Sequence, residues 1–344
     1  MTTRSARDPD RPLRVVSVSR GSSRRDARME MTLLGRRVVM ERIGTDGDVG
    51  RAGRVYQRLR DEVDAFGLGG MDLELRVAGR AYRIRESASL ARHAGATPVV
   101  CGAGLKTTLE RRAVETLDAE IGWRGRHVLL PSAVDRWGMA EALERAGARL
   151  TIGDFAFLLG LPIPQHDLSA FERRVRVIAP VVVRAPMSWI YPTGAKQERA
   201  VTGWRARWFD QAEVVAGDWH LIARYAPTDL SGKTVLTNTT TSADLEDLAA
   251  RGARRVATTT PRIAGRSLPT NLLEAAFVAV AGRHPLPLDD LDAMVAEAGL
   301  APDVWRAGEA APADAAAMPH ATPDATPDAT PLASRPEVGS ELGA

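Results

Sequence analysis

A regular alternation of apolar runs and helical patterns between residues 97 and 154 limits the fold more than any other part of the sequence. The runs TPVVCGAG, HVLLPSA and ARLTIGD are strand-like, and LKTTLERRAVETLDAE and VDRWGMAEALERAG between them have apolar residues at helical spacing. Strands that alternate with helices in this way form a parallel sheet through right-handed crossovers. The sequence therefore predicts an α/β fold of mostly parallel, Rossmann-like sheets with crossover helices.

Other stretches extend this pattern toward both ends of the chain. LRVVSVS (13–19) has the composition of a buried strand, and two hairpins are predicted, one turning at Gly35 and one at Ala78-Gly79. Residues 231–261 form a further strand-helix-strand unit, and residues 267–282 and 287–299 are two closing helices.

The length and the composition of the ends suggest two lobes between structureless termini. The chain has 344 residues, enough for two domains of about 150 residues each. We place an α/β domain with the Gly-rich loop at 13–165 and a second α/β lobe at 166–307. Residues 1–12 are predicted to be disordered, and so is the tail 308–344, whose repeat ATPDATPDATP cannot bury a core.

The composition argues against several classes of function. The net charge of +3 is small and the charges are mixed along the chain, which disfavours a nucleic-acid partner. No apolar run is long enough to cross a membrane, and the polar start lacks a signal-peptide core, so a cytoplasmic protein is expected. The single Cys101, and the lack of EF-hand spacing after the DGD at 46–48, argue against a metal site.

The loop in VVCGAGLKTTLE (99–110) is the first candidate for a cofactor site. Gly102 and Gly104 lie between a strand and a helix, where a dinucleotide fingerprint has its glycines, and Thr107 occupies the position of the third. Backbone N–H groups at such a helix start can bind a pyrophosphate. Ser132 and Arg136 follow the next strand and could hold a ribose or its 2′-phosphate. NAD or NADP is therefore the expected cofactor, with a plain tight turn and a helix cap as the alternatives.

Lys106 is the candidate for proton chemistry. It is one of only three lysines among 46 basic residues, and it lies at a helix start, where a cation is unfavourable unless an anion is near. We predict a proton relay made by Lys106 with Asp72 or Asp46 as its carboxylate partner.

Hydroxyl-rich loops at strand ends are the candidates for binding an anionic small-molecule substrate. Such loops follow the first strand and the two strands near residues 238 and 258, and they would face one cleft, although helix capping explains the same residues. The predicted substrate contacts are Ser19, Ser22, Ser23, Arg24, Asn238, Thr240 and Thr259.

The stretches VVSVSRGSSRRD, ERIGTDGD, DAFGLGGMDL, VVCGAGLKTTLERR and TTTPRIAGRSLPTNLLEA together resemble a bacterial family known as quinate 5-dehydrogenase. The resemblance covers about residues 13–300. It implies an NAD(P)-linked oxidoreductase that acts on a polyhydroxy cyclohexane carboxylate of the quinate or shikimate type. It carries over the reaction class and no individual catalytic residue.

Three interpretations remain open at the level of the sequence. The first is the NAD(P)-dependent dehydrogenase, in which the nicotinamide supplies the hydride chemistry. The second is a non-redox enzyme or sensor that binds a phosphorylated or nucleotide-like molecule, which the hydroxyl-rich loops favour. The third is an interaction protein, since the Trp-rich segment near 154–222 could be the contact surface of a homodimer.

Overall fold

A computed structural model describes residues 11–185, 203–263 and 266–310, which form two α/β lobes, each built on its own sheet. Of the ends predicted to be disordered, 1–12 and 308–344, all but residues 11, 12 and 308–310 lie outside the described part of the chain. The α/β class, the mostly parallel sheets and the crossover helices predicted from the sequence are confirmed.

The first sheet has the strand order β2-β3-β1-β4-β7 and is parallel except for β2. Its strands are β1 (Leu13–Ser19), β2 (Ala27–Leu33), β3 (Arg36–Gly44), β4 (Ala65–Gly69) and β7 (Val99–Val100). A separate hairpin joins β5 (Glu74–Val77) to β6 (Arg80–Arg83). Both predicted hairpins are confirmed, because Gly35 and Ala78-Gly79 take the left-handed conformation that these tight turns require.

The second sheet has the order β15-β12-β11-β10-β8-β9 and is parallel except for β15. Its strands are β8 (His127–Leu130), β9 (Arg149–Ile152), β10 (Val214–Gly217), β11 (Thr234–Thr237), β12 (Arg255–Thr258) and β15 (Asp303–Arg306). A short ladder pairs β13 (Arg262–Ile263) with β14 (Arg266–Ser267).

Helices cover both faces of each sheet. In chain order they are α1 (Val49–Leu59), α2 (Arg85–Ala91), α3 (Ala103–Thr107), α4 (Leu109–Ile121), α5 (Trp137–Arg145), α6 (Asp154–Phe157), α7 (Leu168–Val182), α8 (Ala206–Gln211), α9 (Trp219–Tyr225), α10 (Ser242–Ala250), α11 (Thr270–Ala281) and α12 (Leu288–Glu297). Helices α1 and α2 pack on one face of the first sheet, and α11 and α12 pack on the other. Helices α4, α5 and α7 pack on one face of the second sheet, and α8 to α10 pack on the other.

The lobes do not divide where the sequence suggested, at residue 165. Strands β8 and β9 precede that boundary, yet β8 pairs with β10 and so belongs to the second sheet. Helix α11 follows it, yet its buried face, including Leu272 and Phe277, packs against the first sheet. The boundary was misplaced because local hydrophobic patterns identify a strand but do not say which sheet it joins.

Both sheets contain a topological switch point. In the first sheet β1 lies between β3 and β4. In the second sheet β8 and β10 are neighbours, and the chain continues from β8 toward one edge of the sheet and from β10 toward the other. Ligands of open α/β sheets bind outside the carboxyl ends of the strands at such points. The loops after β1, β4, β8 and β10 meet at a cleft between the two lobes.

Candidate functional site

The cleft between the lobes has a volume of about 600 Å³ and is lined mainly by residues that follow strands. Its neutral hydrogen-bonding groups come from both lobes. They are the hydroxyls of Ser17, Ser19, Ser22, Thr239, Thr240, Thr241, Ser267 and Thr270 and the amides of Asn238 and Asn271. This concentration of donors and acceptors suits a ligand with several hydroxyl groups.

A lysine between two carboxylates lies at the junction of the lobes. Lys106 Nζ on α3 is 2.6 Å from Asp72 Oδ1, on the loop after β4, and 2.5 Å from Asp135 Oδ1, on the loop after β8. All three side chains line the cleft, and each is at most about one-fifth exposed. The predicted pairing of Lys106 with Asp72 is therefore present in the structure.

Arg136 continues this cluster into the second lobe. Its guanidinium contacts Asp135 at 3.0 Å and Asp218 Oδ2 at 2.9 Å, and it also binds the Glu110 carboxylate. The Arg136 side chain is only 2% exposed, and Glu110 is fully buried. Burial raises the pKa of Glu110 to about 7 against the opposing effect of the guanidinium. Arg136 thus holds the loop after β8 against that after β10.

The two carboxylates on Lys106 differ in how easily they take up a proton. Burial would raise the pKa of Asp135, but Lys106 and Arg136 outweigh burial and hold that pKa well below its usual range. Burial raises the pKa of Asp72 to about 7, because Lys106 opposes it only in part and the Asp135 carboxylate adds to it. Burial would lower the pKa of Lys106, but both carboxylates raise it. Asp72 is therefore the cleft-lining group that can exchange a proton near neutral pH.

The raised pKa of Asp72 makes stability depend on pH. Between about pH 4 and 7 the folded protein holds a proton on Asp72 that the unfolded chain has lost, so this stabilising contribution disappears as the pH rises. Between pH 4.5 and 7.5 the free energy of unfolding of wild type should fall by on the order of 3 kcal/mol more than that of Asp72→Asn. Urea unfolding at the two pH values measures the difference.

Asp61→Asn is the matched control, because Asp61 is 90% exposed. Its pH dependence should follow that of wild type. Parallel profiles for wild type and Asp72→Asn would show that Asp72 is ionised throughout this range.

The Gly-rich loop does not form the predicted pyrophosphate site. A Cβ on Gly102 would lie 2.7 Å from Thr270 Oγ1, and a Cβ on Gly104 would lie 2.6 Å from Leu291 Cδ2, so helices α11 and α12 pack directly on the loop. Leu105 N donates to Glu274 Oε2 at 3.0 Å. The N–H groups at the start of α3 therefore already bind an anion, the carboxylate of Glu274.

The other residues predicted for the cofactor do not fit a dinucleotide either. Thr107 Oγ1 donates to the carbonyl of Ala103 within its own helix. Ser132 is buried and donates to Asp154 Oδ1 at 3.2 Å, away from the cleft. Arg136 lines the cleft, but its guanidinium is engaged by carboxylates. Of the five residues predicted to hold NAD or NADP, only Arg136 lines the cleft, and the dinucleotide cofactor stays a prediction.

In the loop after β1, the predicted residues divide between the cleft and the outer surface. Ser19 and Ser22 line the cleft. Asp46, the alternative partner of Lys106, instead accepts from Ser23 N at 2.7 Å and pairs with Arg51, about half exposed. These contacts tie the loop to the end of β3 and leave both Ser23 and Asp46 outside the cleft.

The cation that the cleft receives from this loop is Arg25, although the sequence analysis selected Arg24. The two residues follow each other in a single 3₁₀ turn, Ser23–Arg25, whose successive side chains point about 120° apart. Arg24 is exposed, whereas Arg25 lines the cleft and approaches His220 Nε2 at 3.4 Å. Within the described residues no carboxylate pairs with Arg25.

Two of the three substrate contacts predicted in the second lobe lie in the cleft. Asn238 and Thr240 line the cleft, and Asn238 Oδ1 accepts from Trp219 N at 3.2 Å. Thr259 does not reach it, because it is completely buried.

Some residues of the cleft were not selected from the sequence. Asp218 follows β10 and caps α9 by accepting from His220 N at 3.0 Å. The sequence does contain a sign of this residue, because VVAGD, like GLGGMD, is a strand-like run that ends in an aspartate. The Pro- and Trp-rich residues around it made the strand hard to recognise. Asp135, which precedes Arg136, is likewise absent from the residues predicted from the sequence. No local signal links Glu274 to the Gly-rich loop.

The described residues contain neither a cluster of potential metal ligands nor a membrane-spanning helix. In residues 11–185, 203–263 and 266–310, no group of three or more His, Cys, Asp or Glu side chains is placed to hold a metal ion. None of the helices described is both long and apolar enough to cross a membrane.

Comparison with family models divides the chain at the Gly-rich loop. One model, described as "Domain of unknown function (DUF8754)", matches residues 104–307, more than half of the 344 residues. The chain belongs to the DUF8754 family. A second model, "Domain of unknown function (DUF8753)", matches residues 14–101. The DUF8754 segment therefore contains the whole second sheet as well as α11 and α12, which complete the first lobe.

No curated protein matches this DUF8754 chain. Among solved structures it is similar to a galactofuranose binding protein (11% identity, TM-score 0.34, covering 86% of this chain and 95% of that one). It is similar to an ABC transporter solute binding protein from Agrobacterium vitis with bound allitol (13%, 0.33, 81% and 92%). It is also similar to a dipicolinate synthase from Bacillus halodurans (12%, 0.28, 79% and 98%). At these TM-scores the similarities support no conclusion about function.

Proposed function

We propose that the protein is an enzyme that binds a small polyhydroxylated acid between its lobes and exchanges a proton with it through Asp72. The observation that carries this proposal is the contact of Lys106 with Asp72 at the wall of the cleft. A carboxyl group whose pKa lies near neutrality is suited to both accepting and returning a proton, and such groups concentrate in active sites.

Lys106 has a different role from the one predicted for it. Because its pKa is raised, the amine keeps its proton and acts as a fixed positive charge. It orients the Asp72 carboxyl and would stabilise the negative charge that develops on a substrate oxygen when Asp72 removes the proton from the neighbouring carbon. Asp135 and Arg136 in turn fix the position of the amine.

The lining of the cleft supports a ligand with several hydroxyls and one anionic group. Eight side-chain hydroxyls and two amides line the cleft, and Arg25 offers a guanidinium without a carboxylate partner among the described residues. Charge-assisted hydrogen bonds from arginine to a carboxylate or phosphate are stronger than neutral ones. This donor set supports the class of ligand and leaves the carbon skeleton open.

A dehydrogenase acting on a quinate-type acid is the second candidate. It is favoured by the same pair, because oxidation of a hydroxyl to a ketone needs a group that accepts the hydroxyl proton, as Asp72 can. The expected cofactor argues against it, because Glu274 and helix α11 contact the loop at 102–107, where the pyrophosphate was predicted to bind. We therefore derive no step through a nicotinamide.

Ligand-induced stabilisation tests the proposal. The melting temperature is measured with saturating quinate, shikimate, glycerate, glucose 6-phosphate, NADH or NADPH, since a ligand of the folded state raises it. We expect a hydroxylated acid to raise it in wild type and in Arg24→Ala. In Arg25→Ala the affinity should fall about 10- to 100-fold, the value of a charge-assisted hydrogen bond.

Comparison of Arg24→Ala with Arg25→Ala, together with a measurement of proton exchange, distinguishes the proposal from its alternatives. Equal effects of Arg24→Ala and Arg25→Ala, or no stabilisation by any hydroxylated acid, would contradict the proposal. For an acid that binds, exchange of the C–H proton at its reacting carbon with solvent deuterium in D₂O should be lost in Asp72→Asn. Stabilisation by NADH or NADPH would favour the dehydrogenase instead.

A further inference from the structure

A second, smaller cavity lies beside the cleft and differs from it in chemistry. We call it the apolar chamber; its volume is about 100 Å³. Its apolar lining comes from both lobes: Leu75 and Ile84 from the first, and Val134, Phe155, Leu158, Leu159, Phe171, Val175, Ile178, Ala179, Val182 and Val183 from the second. Helix α7 supplies five of these side chains.

The chamber reaches the same two carboxyl groups as the cleft. Asp72 and Asp135 line both cavities. A molecule whose polar part lies in the cleft beside Asp72 therefore has an apolar space next to its reacting atom.

Water is a poor occupant of the chamber. The polar residues on its wall already have partners: Asp72 and Asp135 bind Lys106, and Ser132 Oγ donates to Asp154. The Asp154 carboxylate also accepts from Ala133 N at 2.8 Å and from Val134 N at 3.1 Å. An ordered water needs two to four polar partners, whereas cavities lined by aliphatic and aromatic side chains stay dry and take up small apolar groups.

We infer that the apolar chamber receives an apolar substituent of the substrate, a ring or a short branched alkyl group attached close to the carbon at which Asp72 acts. This inference rests on the proposed function and narrows its substrate class. The substrate is then an amphipathic acid, with its hydroxyl and anionic groups in the cleft and its apolar group in the chamber. A purely polar sugar acid would leave the chamber empty.

The test compares two probes that share a 2-hydroxy carboxylate and differ in the apolar group. Isothermal titration with 3-phenyllactate and with lactate should give at least tenfold tighter binding of phenyllactate to wild type. Ala179→Leu extends a buried side chain of the lining into the chamber and should remove this preference. Val177→Leu on the same helix is the control, because Val177 is 76% exposed and does not line the chamber.

The outcomes separate the two proposals. Equal affinities for the two acids in wild type, or an unchanged preference in folded Ala179→Leu, overturn the chamber proposal alone. If neither acid binds while another hydroxylated acid of the thermal series does, the chamber proposal alone is overturned; if no hydroxylated acid binds, the proposed function fails and the chamber proposal fails with it. Should Ala179→Leu not fold, Val182→Phe, at a less buried position of the lining, gives the same test. A change of oligomeric state without a change in preference would assign this surface to contact between copies and overturn the proposal.

Discussion

Arg136→Met should lower the free energy of unfolding by about 3–5 kcal/mol. The substitution keeps the length of the side chain but leaves the carboxylates of Glu110, Asp135 and Asp218 buried without the guanidinium that contacts all three. Removing one partner of a buried ionic cluster costs this much because the remaining charges have lost their hydration and gain nothing in return. Urea unfolding followed by Trp fluorescence measures the loss.

The expected loss depends on burial, and a second arginine tests that dependence. Arg126 pairs with Glu213 at 2.8 Å, but both side chains are more than 40% exposed, so Arg126→Met should cost less than 1 kcal/mol. The loss in Arg136→Met should also be smaller at pH 5 than at pH 8, since the carboxylates that have lost the guanidinium can then bind protons. A loss in Arg136→Met as small as that in Arg126→Met would mean that water reaches the cluster.

Gly104→Asp should destabilise the fold by on the order of 4 kcal/mol, or prevent folding. The new Cβ would lie 2.6 Å from Leu291 Cδ2 and 3.0 Å from Glu274 Oε2, and the added carboxylate would be buried beside the existing one. If the loop were an open pyrophosphate site, the same change would abolish cofactor binding and leave the fold mostly intact. Thermal unfolding of the purified variant distinguishes the two cases.

A double mutant isolates the electrostatic part of this effect. Glu274→Gln removes the negative charge that would repel the new carboxylate, and it keeps an oxygen that can accept from Leu105 N. It should recover 1 kcal/mol or more in the Gly104→Asp background, a coupling typical of residues in contact. Gly104→Ala, which adds only the methyl group, should cost less than half as much as Gly104→Asp. Stable Gly104→Asp protein that unfolds like wild type would show that the loop is not covered by α11.

Local features of the fold could be predicted because they depend on neighbours in the sequence. The hairpins at Gly35 and Ala78-Gly79 follow from turn residues between alternating strands, and the unit β11-α10-β12 follows from hydrophobic spacing. The capping box at Thr241 and Asp244 marks the start of α10 in the same local way. Elements of this kind carry their own signal.

Assembly of the elements could not be predicted, because it depends on contacts between distant residues. Glu274 binds the N–H of Leu105 from 169 positions away, and nothing in GAGLKT shows that its anion comes from the chain itself. The pairing of β8 with β10 likewise joins strands more than 80 residues apart. Both contacts arise from the packing of whole layers rather than from any short motif.

The candidate site could be predicted in part from the sequence. The rule that strand ends carry ligands correctly located Ser19, Asp72, Asn238 and Thr240, because it follows from the geometry of parallel sheets. It did not resolve the direction of adjacent side chains, so Arg24 was chosen in place of Arg25. It also did not separate residues that reach the cleft from those, such as Thr259, that lie beneath it.

The return of α11 to the first sheet determines the order in which the lobes can mature during synthesis. Strands β1 to β7 leave the ribosome first, but one face of their sheet stays uncovered until residue 281 has emerged. The second sheet has all five of its parallel strands by residue 258. The part of the chain made first thus stays incomplete while the five parallel strands of the second sheet emerge, and until α11 follows them its apolar face is exposed to aggregation or to chaperones.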